Sequence, residues 1–494
     1  MSRRTSITVT DQFCGAGGSS TGATKAGAEV RVALNHWQLA IDTHNSNFPN
    51  ASHDCTDISA SDPRRYESTD ILITSPECTN HSIAKGQRRV SNQMSLFNEA
   101  IDPAAERSRA TMWDVPRFAE HHKYNVIIVE NVVDARKWVT FDAWLMAMHQ
   151  LGYDHRCVYL NSMHCHPTPQ SRDRMYVVFW RKGNRAPNLS PAPRAHCQKC
   201  GHDVDARQQF INGASSGVYR KLGSSRGQYV YACPSCKAQV EPYYFAAANA
   251  IDWTLPSVRI GDRARPLRQN TLDRVQRGLD KYSRAEVPSI QPPFVIETTH
   301  TGVNRTSAIT APLPTQTARR SSSLVTPPPF IFGYYQRPSG QGAALSSITD
   351  PLPTQSTRPL HYIVQPFITS YYGSQTDAPI TDPLGTVTTR DRHAVVVPPF
   401  IVNMQGKTGP PDIRQPMNTV LTNPHKVLIR PGEKVSVSDC GFRILEPREC
   451  GAAMGFADDY IVLGTKREQT KQYGNAVTPP AMAWLMERVM ETFR

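Results

Sequence analysis

The sequence predicts an α/β fold: a Rossmann-like doubly wound sheet, followed by a small cysteine-bearing insert and a longer β-rich region built of repeats. Three observations carry that prediction. Short β-rich runs alternate with helix-compatible stretches up to Gly183. Two Cys-x-x-Cys pairs follow, and after them a recurring unit fills the region from about residue 290 to 430.

The runs "SITVTDQF", "VRVALN", "DILITS", "NVIIVENV", "HRCVYL" and "RMYVVFWR" read as strands, and stretches such as "TFDAWLMAMHQLG" read as the helices between them. An open sheet of this kind keeps its ligands outside the carboxyl ends of its strands. This part is taken as residues 1–183. Pro-rich "APNLSPAPRAHC" then leads into an insert over 184–250, where Cys197-x-x-Cys200 and Cys233-x-x-Cys236 are separated by a basic, polar loop. Four thiolates at this spacing predict a tetrahedral structural zinc in a ribbon, each pair bracketing the ion from a tight turn. His196 and His202 flank the first pair and could replace a ligand.

The β-rich part is taken as 251–435, and from about residue 290 to 430 the chain repeats itself. Phe294, Phe330, Phe367 and Phe400 each open a unit containing a β-run, a variable loop, a Pro-Leu or Pro-Met turn, a Thr-rich segment and a second β-run. Such a unit cannot bury its apolar face alone, so neighbours should stack. Basic residues recur in the second half of each unit: Arg319 and Arg320, Arg358, Arg390 and Arg392, then His425 and Lys426. Any one of them reads as a solvated surface charge, but their recurrence in register predicts a surface that contacts a nucleic-acid backbone or reads bases. The last segment, 436–494, is helical again.

Composition bounds the function. Hydrophobic residues at 39% and charged residues at 20% are ordinary for a globular protein. No stretch has the length of a membrane span, and "MSRRTSITVTDQF" lacks an apolar signal core, so the reading is cytoplasmic. Eleven cysteines scattered over 494 residues suit thiols and metal ligands better than a disulfide framework. The net charge of +13 and a pI near 9.3 favour a polyanionic partner.

One stretch concentrates the chemistry. "ILITSPECTNHS" carries Glu77 and Cys78 to the tip of a strand. A lone cysteine is more often a buried structural one. Here it accompanies the Gly-rich turn "DQFCGAGGSSTG", "ENV" at Glu130–Val132, "QSRDRMYVV" at Gln170–Val178 and the late "QYGNAVTPPAM". In this order the motifs resemble the C5 cytosine DNA methyltransferase family, over about residues 6–183 and 440–494. That family keeps its target-recognition domain in the variable region between the arginine motif and the late segment. The resemblance therefore implies a catalytic α/β domain with a target-recognition domain in that region; the zinc knuckles and the repeats fall in the variable part, and the resemblance does not specify their details.

The resemblance implies Cys78 as the nucleophile that attacks C6 of cytosine, breaking its aromaticity so that C5 becomes enamine-like. Glu130 would hold the N3 edge, and Arg172 and Arg174 would orient the base oxygen and favour the thiolate. The target base must be flipped out of double-stranded DNA to reach such a pocket. Phe13, Gly15, Gly17, Gly18, Trp37, Asp57, Ile58, Asn475 and Val477 would line an S-adenosylmethionine site.

Two positions depart from the family pattern. Glu77 replaces a proline before the nucleophile, and His36 stands where a carboxylate usually grips the cofactor ribose. A second acid at Glu77 leaves room for an alternative. The same Cys78 adduct could take a methylene group from 5,10-methylenetetrahydrofolate and give 5-hydroxymethylcytosine. Action on RNA, or DNA binding without catalysis, are further readings. The family implies a bacterial or phage-encoded protein with double-stranded DNA as its partner.

Overall fold

The computed structural model describes residues 6–77, 111–245, 254–267 and 437–493, a few positions between these, and the backbones of short strands between 294 and 396. Its centre is a seven-stranded sheet in the order β3-β2-β1-β4-β5-β8-β6. The strands are β1 Thr8–Gln12, β2 Glu29–Asn35, β3 Ser52–Cys55, β4 Ile71–Thr74, β5 Val126–Asn131, β6 Tyr153–Asn161 and β8 Asp173–Arg181, with the two-residue β7 at Gln170–Ser171. All six strands read from the sequence are present. The additional strand β3, Ser-His-Asp-Cys, has no apolar pattern to announce it because it forms the sheet's edge.

Near-continuous apolar runs suit strands covered on both faces. Alternate residues of these strands enter opposite cores. Leu72, Ile127, Val129, Val177 and Phe179 pack against α3 (Asp114–His122) and α4 (Phe141–Gln150), through Phe118, Phe141 and Trp144. Ile71, Ile73, Val126, Ile128 and Val178 face the other way, toward Met482, Leu485 and Val489 of α7 (Pro479–Met490). Thus the last helix of the chain completes the core begun by β1. It also lies against α1 (Gly18–Lys25): a Cβ at Gly22 would come within 2.6 Å of the Pro479 carbonyl oxygen and 2.8 Å of the Ala483 nitrogen.

Strands β1 to β5 run parallel, whereas β8 pairs antiparallel with both β5 and β6. A reversed strand brings its beginning, rather than its end, to the ligand-bearing edge. That is why Gln-x-Arg-x-Arg precedes its apolar run while the other motifs follow theirs.

The insert forms a β9–β10 hairpin (Arg194–Cys197 and His202–Asp205) and a three-stranded sheet, β11 (Arg207–Phe210), β12 (Tyr229–Ala232) and β13 (Gln239–Val240). Beyond it, backbone pairing follows the repeat units. Phe294–Glu297 pairs antiparallel with Ser322–Thr326, Phe330–Tyr334 with His361–Val364, and Thr369–Ser370 with His393–Val396. Opening and closing runs of one unit are therefore partners. Arg319 and Arg390 are register neighbours in the parallel pair Gln316–Arg319 and Thr388–Arg390. Arg320, Arg358, Arg392 and the unit opened by Phe400 lie outside the described residues. Among the described residues no helix is long and apolar enough to cross a membrane.

Candidate functional site

The strand order reverses between β1 and β4, and a doubly wound sheet binds its ligand at such a switch point. Gln12 at the tip of β1 is the register partner of Thr74 at the tip of β4. The Gly-rich turn leaves one strand there, and Ser75-Pro76-Glu77 leaves the other. Cys78 follows immediately but lies outside the described residues.

On the β1 side the backbone sets the geometry. Phe13, Gly15 and Gly17 have φ of 57°, 53° and 87°, the left-handed region that favours glycine. A Cβ at Gly15 would meet nothing closer than 3.8 Å, so this part of the turn faces open space. At Gly18 it would overlap the Val477 carbonyl oxygen, and at Gly17 the Tyr460 hydroxyl, which itself donates to the Ala16 carbonyl. No side chain caps α1, which leaves its N-terminal end available to a polar ligand. Beneath the turn, buried Asp11 accepts hydrogen bonds from Ser19 Oγ and Ser20 Oγ, both at 2.6 Å. Burial pushes its carboxyl up to about 6. The chain continues from Ser20 Oγ to His44 Nε2 (2.9 Å) and from His44 Nδ1 to His53 Nε2 (2.8 Å). Burial drives His44 down to about 3, so it is neutral near pH 7. Among the described residues the side chain of Gln12, Thr74 Oγ1 and Ser75 Oγ have no hydrogen-bond partner although they are buried. Orphaned polar atoms gathered at a switch point are what a polar ligand would leave behind.

The remaining cofactor-side candidates follow the carboxyl ends of β2 and β3 or belong to the late motif. His36 is exposed just after β2, and Trp37 precedes α2 (Gln38–Asn47), with Lys471 Nζ 4.2 Å from its ring centroid. Asp57 is exposed and accepts from the Ser59 amide at 3.1 Å, while Ile58 is buried beside it. Val477 is buried against the Gly-rich turn; Asn475 is exposed at the end of α6 (Lys466–Asn475). One neighbour was not expected from the sequence. Glu77 Oε1 lies 3.9 Å from His36 Nδ1, so the two departures from the family pattern meet across the switch point.

On the β4 side charged and amide side chains do the positioning. Glu130, on β5, is 8% exposed and lies 2.9 Å from Arg174 Nε at the start of β8, a close ion pair without hydrogen-bond alignment. Arg174 Nη1 also donates to the Asp173 carbonyl at 2.8 Å. Asn131 donates from Nδ2 to the Pro76 carbonyl at 3.3 Å and accepts the Val132 amide, tying the loop that precedes Cys78 to β5. Arg172 is buried and directs Nη1 and Nη2 to the carbonyls of Gly474 and Ala476, at 3.2 and 3.1 Å. It joins the arginine motif to the late motif some three hundred residues away, where the sequence reading had it orient the base.

The insert gathers its four cysteines. All four sulfurs of Cys197, Cys200, Cys233 and Cys236 lie within 4.8 Å of one another, with Cys197–Cys236 at 3.5 Å and Cys200–Cys233 at 3.8 Å. His196 instead pairs with Asp203, and His202 Nδ1 faces the Cys200 carbonyl.

Residues 7–209 and 382–491, more than half of the chain, match the family model described as C-5 cytosine-specific DNA methylase. The type II methyltransferase M.HgiDI of Herpetosiphon aurantiacus is 28% identical over 186 residues, covering 36% of this chain and 53% of that protein. The type II methyltransferase M.MspI of Moraxella sp is 29% identical over 73 residues, 15% of this chain and 18% of that one. The chain thus matches about half or less of the length of these relatives. Among solved structures, Spodoptera frugiperda DNMT2, in a mutant form, aligns with a TM-score of 0.45 and 12% identity over 98% of this chain and 100% of that one.

Proposed function

The chain belongs to the C-5 cytosine-specific DNA methylase family, and from that premise we propose that it methylates C5 of cytosine in double-stranded DNA through a covalent adduct at Cys78. The observation that carries the reading is the convergence at one edge of the sheet. There the Glu130–Arg174 pair, the Asn131 tie to Pro76 and the open Gly-rich turn flank a single switch point.

Cys78 Sγ bonds to C6 of a flipped cytosine as the C5–C6 double bond opens, while Glu130 holds a proton at N3. Once C5 carries the methyl group, its hydrogen leaves as a proton and the Sγ–C6 bond breaks, restoring the ring and the thiolate. Arg174, paired with Glu130, faces the base; Arg172 acts as the tie that fixes the arginine motif to the late segment. The turn at Phe13–Gly18, with Trp37, Asp57, Ile58, Asn475 and Val477, would hold S-adenosylmethionine. When bound, that cofactor supplies an electrophilic methyl group. Glu77 compensates for His36: set 3.9 Å from it, it brings a carboxylate to the end of β2 from the neighbouring loop. This gives Glu77 a cofactor-side role and leaves the folate alternative without an observation of its own. DNA is preferred to RNA because the matched family model is that of a DNA methylase. A DNA partner also suits the net charge of +13. We assign the repeats, with Arg319, Arg320, Arg358, Arg390 and Arg392, to target recognition, and place the protein inside the cell with its DNA.

Mass spectrometry of nucleosides from DNA co-expressed with the protein tests the reading. Deoxycytidine heavier by one CH2 unit is expected, and it should vanish with Cys78→Ser. Unmodified DNA, a hydroxymethyl product, or full activity of the serine variant would each overturn it.

A further inference from the structure

We propose that the four-cysteine ribbon binds zinc and that the metal-ordered ribbon is a brace for the base pocket, holding Arg174 in place through Asp173. The sulfur geometry points to the metal. A tetrahedral Zn–S site with bonds of about 2.3 Å separates its sulfurs by about 3.8 Å; the Cys197–Cys236 and Cys200–Cys233 pairs stand at 3.5 and 3.8 Å. Both knuckles are built alike. The Gly201 amide donates to the Cys197 carbonyl and the Lys237 amide to the Cys233 carbonyl, and both donors have positive φ, 73° and 63°. Cys197 and Cys233 are buried, so the site lies inside a packed core.

That core is shared with the catalytic sheet. Cys197, Cys233, Tyr219, Tyr229 and Tyr231 belong to the same cluster as Met175, Val177 and Phe179 of β8. Tyr219 and Tyr231 hold the His164 ring edge-on at 4.7 and 5.0 Å between centroids. Gln208 Nε2 donates to the Tyr159 carbonyl of β6 at 2.7 Å. The decisive contact is the Tyr219 amide, which donates to Asp173 Oδ1 at 2.9 Å. Asp173 in turn receives Arg174 Nη1 on its carbonyl, and Arg174 meets Glu130. A short relay therefore runs from the metal knuckles through the tyrosine cluster to the pair that faces the base. The Gly-rich turn lies across β4 and β5 from β8 and is reached less directly, through Phe13, which packs against the same cluster, and through the Arg172 ties to the late motif.

The inference rests on the proposed methyl transfer for its catalytic consequence only; the brace itself is read by hydrogen exchange. The purified full chain should carry one zinc. Stripping it with a chelator, or substituting Cys233→Ser, should speed amide exchange over residues 161–175 about tenfold or more while residues 8–35 are unchanged. S-adenosylmethionine affinity should hold within about twofold while kcat falls about a hundredfold, the order expected when a reacting group is misplaced by an ångström. Asp173→Ala should keep its zinc yet lose kcat in the same way. Absence of metal, unchanged exchange over 161–175, or faster exchange across the whole sheet would each overturn the brace. A wild-type protein that methylates nothing would sink the proposed function, and the exchange measurement would still decide this one.

Discussion

On the β1–β2 side of the switch point, position is set by backbone fitting against backbone; on the β4–β5–β8 side, it is set by charged and amide side chains. Gly18 lies so close to Val477 that no side chain can be added, and Gly17 is hemmed in by Tyr460, Phe48 and His44. Across the sheet, Glu130 and Arg174 form a close ion pair, and Asn131 and Arg172 hold neighbouring loops through hydrogen bonds to backbone carbonyls. The difference separates two kinds of vulnerability. The steric half should fail when volume is added; the charged half should fail when a charge is removed at constant volume.

The sharpest break is therefore isosteric. Glu130→Gln removes the carboxylate proposed to hold the proton and keeps the shape, so transfer should fall by about two to four orders of magnitude, as loss of a general acid–base group does. S-adenosylmethionine affinity, measured by calorimetry, should not move. A parallel loss of cofactor binding would erase the division between the halves.

The converse substitution adds one methyl group. Gly18→Ala drives a Cβ into the Val477 carbonyl oxygen, a backbone atom that cannot rotate away. Urea denaturation should show a loss of about 3 kcal/mol, the upper range for overpacking. Cofactor affinity should fall with it, because α1 and the late motif must separate. A variant as stable as the parent would mean that the turn and α7 slide past each other freely.

This contrast also explains what could be read in advance. Strands β1, β2, β4, β5, β6 and β8 were legible because alternating or continuous apolar residues report burial directly. The motif residues were legible because their types carry chemistry. The edge strand β3 was not, since Ser52–Cys55 buries nothing on a regular face. Nor were the partners of Arg172, because hydrogen bonds to Gly474 and Ala476 carbonyls leave no mark on the residue types involved. His36 and Glu77 each read as an isolated departure; only the parallel pairings β2–β1 and β1–β4 bring the ends of their strands to the same edge. The Asp11–Ser20–His44–His53 chain was equally invisible, being spread over four elements.

That chain offers a pH test of the steric half. The folded protein keeps the Asp11 proton up to about pH 6, while an unfolded aspartate releases it near 3.8. The folded state thus binds the extra proton between those values, and its contribution to stability, full below pH 4, is lost as pH rises toward 6 and is flat beyond. The loss should be roughly 2 to 3 kcal/mol. Asp11→Asn should remove it, so the difference between wild-type and variant unfolding free energies should slope between pH 4 and 6 and level off above. Parallel curves would place the carboxyl at its ordinary value and deny the burial that raises it.

The smallest effect is expected where the two halves touch. Glu77 stands 3.9 Å from His36, both side chains substantially exposed, so their direct attraction is weak. What the contact supplies is position: a carboxylate delivered from the β4 loop to the end of β2, in place of one rooted on β2 itself. Glu77→Gln should weaken S-adenosylmethionine binding about fivefold, roughly 1 kcal/mol, the scale of a single hydrogen bond to a charged acceptor in a wet site. Moving the carboxylate back tests the idea more severely than removing it. The double variant His36→Glu with Glu77→Gln should recover most of the lost affinity, because the acceptor returns from the opposite strand. Should the double variant bind no better than Glu77→Gln alone, the carboxylate at position 77 serves the nucleophile loop and the two departures are unrelated.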